Sequence, residues 1–139
     1  MSIERVVFAP AAIELLHKLY AIHHKGFMFH QSGGCCDGSA PMCYEAGEFR
    51  VGGSDVLLGI VNIDGIPEPI NFYMSLEQFE YWKHTQLIID AVPGRGSGFS
   101  MEAPEGMRFL LRSRLFDDAE WAELKAQPVL NGHGELAKV

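Results

Sequence analysis

The apolar residues of this chain fall mostly into short runs that are β-rich or repeat with a period of two, and this limits the fold more than any single motif. FMFHQ (27–31), DVLLGIVNI (55–63), INFYM (70–74), TQLIIDAV (85–92) and GMRFLLRSRLF (106–116) read as strands. RVVF (5–8) and GFSMEAP (98–104) are shorter strand candidates, and GEFRV (47–51) leads from the cysteine loop into DVLLGIVNI. One stretch differs: Ala12, Ile13, Leu16, Leu19 and Tyr20 recur at helical spacing behind Pro10, which suits a first helical position, and Gly26 ends that helix. Two short helices announce themselves by their starts. Ser75 with Gln78 and Met74 with Phe79 form a capping box and a staple; Asp117 with Glu120 and Phe116 with Trp121 repeat the pattern before a helix over 118–126. Asp64-Gly65 predicts a tight turn, and Pro67 and Pro69 confine the next residues to a loop or edge.

Helices do not alternate regularly with strands, so a doubly wound fold is disfavoured. The expectation is an α+β domain of mostly antiparallel β structure, with one long N-terminal helix and two short ones. It occupies residues 1–127, and 128–139 form a C-terminal tail that is frayed or lies on a neighbour. A chain of 139 residues buries roughly two thirds of its unfolded surface, so neither a disulfide framework nor a structural metal is needed for folding.

Composition narrows the function. A formal charge of −7 with 11 Lys and Arg excludes phosphate-backbone recognition as the main activity, so no nucleic-acid partner is expected. Arg108, Arg112 and Arg114 are too few to reverse this, and they read as a solvated strand edge. No apolar run reaches the roughly 20 residues of a membrane span, and the start MSIERVVFAPAA lacks the pattern of a secretory signal. All three cysteines lie within nine residues, an odd number that suits a reducing compartment; the expected location is the cytoplasm.

Chemistry concentrates in FHQSGGCCDGSAPMC (29–43). Thiolates are soft ligands and imidazole is intermediate, so Cys35, Cys36 and Cys43 with His30 suit a tetrahedral iron, zinc or copper site. Adjacent cysteines point opposite ways in extended chain, and Gly33, Gly34 and Gly38 permit the sharp turn that would gather them. The bland reading is that Cys43 and one of the pair are small buried hydrophobes. A thiol-enzyme reading needs a base, for which His84 oriented by Asp90 is the candidate set; otherwise His84 caps a helix end. His17, His23 and His24 lack a ligand spacing and read as solvated helix residues. PGRGSGF (93–99) offers successive glycine N–H groups to an anion, but a strand follows it, so a tight connection is preferred. Tyr73, Phe79, Tyr81 and Trp82 read as core and subunit contact, so a homo-oligomer is expected.

The order VVFAPAA, FHQSGGCCDGSAPMC, FYMSLEQFEYWKHTQLIIDAVPGRGSGFS and EAPEGMRFLLRSRLF resembles the DUF779 family of small bacterial proteins, over nearly the whole chain to about Phe116. That resemblance implies an accessory role in aldehyde or alcohol metabolism, with an aldehyde dehydrogenase as partner. More remotely, Ala9 to Ala12, Gly33 to Gly38, the Ser75 helix, Ile89-Asp90, Gly96 to Phe99 and Ala103-Pro104 follow the order of pieces in A-type iron–sulfur carriers of the HesB and IscA type. This implies a HesB-like domain and an iron–sulfur cluster or metal ion as cofactor, with Cys35 on a carrier ligand position. The chain departs from the carriers in having no cysteine after Cys43; Leu111-Arg112-Ser113-Arg114 stands near the position of their final cysteine pair. Two other readings stand beside metal binding: a thiol enzyme whose Cys35 or Cys36 adds to a small carbonyl, and a non-catalytic module that binds an aldehyde dehydrogenase.

Overall fold

The computed structural model describes residues 3–31, 33, 38–95 and 100–137. The chain runs β1 (Val6–Phe8), α1 (Pro10–His23), β2 (Phe27–Gln31), β3 (Met42–Glu45), β4 (Asp55–Ile63), β5 (Ile66–Ser75), α2 (Leu76–Trp82), β6 (Thr85–Pro93), a 3-10 turn (Ala103–Glu105), β7 (Met107–Leu115), α3 (Asp118–Lys125) and β8 (Leu130–Asn131). The α+β class holds. One sheet has the order β1-β6-β7, the other β3-β2-β5-β4-β8. Each contains a parallel pairing, β1 with β6 and β2 with β5, so the sheets are mixed rather than mainly antiparallel. Each parallel pair joins strands far apart in sequence, with α1 through α2 lying between β1 and β6 and with β3 and β4 lying between β2 and β5, which a hairpin cannot do.

Both sheets turn their apolar faces inward. Val6, Leu87, Ile89, Phe109 and Leu111 from the first sheet meet Phe29, Val56, Ile70, Phe72 and Met74 from the second, and α1 adds Ala12, Leu15, Leu16 and Leu19. Val6 of the first sheet packs tightly on Gly59 of the second, beside an irregularity in the β4–β5 register, where an added Cβ would lie 2.8 Å from Val6 Cγ1. Only glycine leaves that room.

The helices follow their local signals with three differences. α1 has 14 residues, an ordinary length rather than the long helix expected, and its left-handed terminus is His24 (φ 55°) instead of Gly26. Ser75 accepts from the Gln78 N–H, but Gln78 Oε1 accepts from Trp82 Nε1 at 3.1 Å, so its side chain serves the buried indole. Asp117 and Glu120 make both halves of their capping box.

Among the strands, β4 is bounded as expected and Gly65 (φ 88°) takes the turn after it. β5 runs through Pro67 and Pro69, where a loop or edge was expected, and this end of the strand is an edge. Those prolines fall between the Ile63–Ile66 and Val61–Ile70 pairings and before β2 joins at Asn71, so their missing N–H groups interrupt no ladder there. GEFRV lies in a turn and the irregular chain after it, and β2 pairs antiparallel with Met42–Glu45, a strand the sequence did not announce. The described part of GFSMEAP is turn and 3-10 structure. In the tail, β8 pairs with β4.

Candidate functional site

Strand β2 separates two environments. Its neighbours set the rows: Phe29 lies opposite Cys43 on β3 and Phe72 on β5, and His30 lies opposite Met42 and Tyr73. Successive residues of a strand face opposite sides, so Phe29 and Cys43 share one face while His30 takes the other.

The inner face is aromatic and closed. Phe29 stacks on Phe72 (centroids 5.7 Å, planes 11° apart) and meets the edge of Phe109 at 5.0 Å. Cys43 lies fully buried beside them as a free thiol. Its backbone N–H donates to Ser100 Oγ at 2.8 Å, its carbonyl accepts from the Met101 N–H at 2.9 Å, and Ser100 Oγ donates to Glu102. Glu102 has no solvent exposure, and its other carboxyl oxygen accepts from the Phe109 N–H at 3.3 Å. Burial pushes Glu102 above the ordinary carboxyl range, though Ser100 and backbone N–H groups pull the other way. Burial also pushes the Cys43 thiol well up, and the Glu102 carboxylate adds to this. The thiolate is the nucleophile and the metal ligand, so Cys43 rests as a protonated, packed group.

On the outer face, His30 is 4% exposed and its Nε2 lies 2.7 Å from Asp55 Oδ1. A carboxylate oxygen accepts, so Nε2 carries the proton of this bond. Asp55 Oδ2 in turn accepts from the Gly52 N–H at 2.9 Å, fixing the carboxylate from its far side. The Phe49 ring sits 4.7 Å from the imidazole and stacks on Tyr44 at 4.9 Å. Phe49 thus belongs to a turn that covers the pair. A small cleft of about 140 Å³ lies alongside, between Phe49, Val51, Met28 and Tyr73.

β2 leads from His30 directly toward the cysteines. Cys35 and Cys36 lie outside the described residues, as does most of PGRGSGF. At the near end of the cysteine loop Gln31 is buried; its Nε2 donates to the Gly33 carbonyl, and its Oε1 has no hydrogen-bond partner among the described residues. The far end is pinned to the other sheet: the Gly38 N–H donates to Leu111 O and the Leu111 N–H to Ser39 O, both at 2.7 Å, while Arg108 Nη2 donates to Gly38 O. Of the four residues expected to gather, Cys43 and His30 are thus placed on opposite faces. Among the described residues no three His, Cys, Asp or Glu side chains form a group able to hold a metal ion.

The thiol-enzyme set is not assembled as expected. His84 packs its ring against Trp121 at 4.3 Å, and Asp90 accepts from Arg112 Nε at 2.8 Å. That bond and the Ala91 N–H hold Asp90 below the usual carboxylate range. Asp90 therefore serves an ion pair with Arg112, and among the described residues it is the His30 ring that bonds a carboxylate, Asp55. Asp55 was missed because it stands 25 residues from His30 and no local pattern links them. Ser100 and Glu102 were missed because their segment read as a strand. The remaining residues follow simpler roles. His17 Nε2 bonds Asp64 O at 2.6 Å, and Arg114 makes two 2.9 Å bonds to Glu120. Phe79 and Trp82 are core, whereas Tyr81 is 58% exposed.

Fold and site together define a small α+β domain with two facing mixed sheets and a buried histidine–aspartate pair at the root of a cysteine-bearing loop. A family model described as a domain of unknown function, DUF779, matches residues 15–115, and the chain belongs to that family. No curated protein and no solved structure matches the chain. Among the described residues no helix is long and apolar enough to cross a membrane.

Proposed function

We propose that the chain is a metal-binding accessory protein in which His30, together with Cys35 and Cys36 of the following loop, holds iron, zinc or copper or anchors an iron–sulfur cluster. The observation that carries this is the 2.7 Å bond from His30 Nε2 to Asp55, made at the foot of the cysteine loop. Metal-ligating histidines characteristically donate one ring N–H to a carboxylate, which fixes the ring and raises the basicity of the other nitrogen. Two thiolates and one imidazole form a soft donor set suited to these metals. The buried Gln31 Oε1 adds an unsatisfied polar atom beside the same loop. Cys43, sealed on the opposite face, is left out of the ligand set.

The resemblance to HesB-like iron–sulfur carriers supports the cluster form, although the final cysteine pair of those carriers is missing here. The accessory role in aldehyde or alcohol metabolism, a cytoplasmic setting and an aldehyde dehydrogenase partner belong to this reading through the family resemblance. The exposed Tyr81 and Leu115 offer apolar surface for such a partner or a second copy.

The test is elemental analysis and an absorbance spectrum of anaerobically prepared protein. Wild type and Cys43→Ala are expected to carry stoichiometric metal, Cys35→Ser and His30→Ala to lose it, and Asp55→Asn to bind about 10- to 100-fold more weakly. Protein that takes up none of the three metals overturns the reading. If Cys35 instead alkylates rapidly near neutral pH and small aldehydes protect it, the site is a thiol that adds to carbonyls.

A further inference from the structure

A second site lies away from the His30–Asp55 pair, where α2, α3 and the tail meet the N-terminal strand. Here the described residues enclose a cleft of about 320 Å³, roughly the space of ten water molecules and within the range of small-ligand sites. Phe79, Trp121 and Val129 supply apolar wall, and Arg5, Lys83 and Lys125 supply cationic edge. Among the described residues no carboxylate lines it. In a chain of net charge −7, three cations around one apolar hollow form a local reversal of sign.

Arg5 is the informative residue. Its Nη2 donates to the Leu124 carbonyl at 3.1 Å, capping the end of α3, and its guanidinium lies 5.5 Å from the centre of the Phe79 ring. Those contacts explain half of the fork. Nη1 is buried with no hydrogen-bond partner among the described residues, and burial lowers the Arg5 pKa. A guanidinium stays charged, and leaving a buried donor unsatisfied costs about 1–3 kcal/mol, so this nitrogen is a place where an acceptor would be favoured. Lys83 is partly neutralised by Glu80 at 2.8 Å, which leaves Arg5 and Lys125 as the main positive groups.

We propose that this cleft binds a small amphipathic carboxylate, its head on the Arg5 guanidinium and Lys125 and its hydrocarbon tail along Phe79, Trp121 and Val129. One guanidinium and one ammonium match a carboxylate better than a phosphate, which usually gathers more donors. The apolar wall distinguishes the ligand from a bare anion.

Calorimetric titration of the full chain with decanoate, decanol and acetate tests this, and the Trp121 fluorescence gives a second readout. Decanoate is expected to bind at least about tenfold more tightly than either decanol or acetate. Arg5→Met should abolish the preference for decanoate over decanol. Because Arg5 also caps α3, Lys125→Glu on the exposed last turn serves as the second variant; it should weaken decanoate about tenfold and leave decanol unchanged. No decanoate binding, equal affinity for decanol, or unaltered binding in both variants overturns the proposal.

Discussion

The two faces of the β2–β3 ribbon use the same chemical vocabulary to opposite ends. Inside, a thiol, a hydroxyl and a carboxylate are packed against Phe29 and Phe109, and each is bonded within the fold: Cys43 through its backbone to Ser100, Ser100 to Glu102, and Glu102 to Phe109. Outside, an imidazole and a carboxylate are paired beneath a single turn carrying Phe49, at the start of the segment that holds the other two cysteines. A polar group walled in by two sheets can only stabilise one arrangement, whereas one covered by a turn and adjoining a loop can exchange a protein partner for a ligand. The difference separates a face sealed between the sheets from one covered only by a turn.

The largest expected effect comes from the inner face. Phe29→Ala removes a ring that touches Phe72, Phe109 and Phe8 from both sheets, and should destabilise the fold by about 3–5 kcal/mol in urea denaturation. On the outer face, His30→Ala should lower stability by only about 1–3 kcal/mol, since Asp55 keeps the Gly52 N–H, while changing metal uptake. If His30→Ala proves as damaging to folding as Phe29→Ala, the two faces are equivalent and the division fails.

How much of this contrast could be read in advance depended on range. The starts of α2 and α3 were legible because each signal lies within four residues: Ser75 accepts from Gln78 N and Asp117 from Glu120 N. β4 was legible because DVLLGIVNI is β-rich from end to end. β3 was not, because MCYE carries no marked pattern and exists through its pairing with β2. The prolines of β5 gave a true local signal that the irregular end of the hairpin absorbs. The inward position of Cys43 was not legible either, because only the pairing of β3 with β2 sets it opposite Phe29, on the core side. His84 and Asp90 looked paired by proximity in sequence; the real histidine–carboxylate pair joins strands that meet only through β5.

The smallest effect, and the sharpest, is in the pH profile of stability, where buried and exposed carboxylates act with opposite sign. Glu102 has its pKa raised by burial, so the folded chain holds that proton more tightly than the unfolded chain. Its favourable contribution is complete below the ordinary glutamate range and disappears as pH climbs through the folded value. Glu120, exposed at the α3 cap, is pulled down to about 2 by the side-chain bond from Arg114 first and then by the Asp117 N–H. Its contribution is present above the ordinary range and disappears as pH falls toward that value. Glu102→Gln, which keeps the shape of the neutral acid, should therefore remove a loss of stability on the alkaline side of the carboxyl range. Glu120→Gln should remove a loss on the acid side. Denaturation midpoints measured across that range check both slopes. If Glu102→Gln leaves the slope above the carboxyl range unchanged, the inner carboxylate is not sealed as the geometry requires, and Cys43 loses the neighbour that helps keep it a thiol.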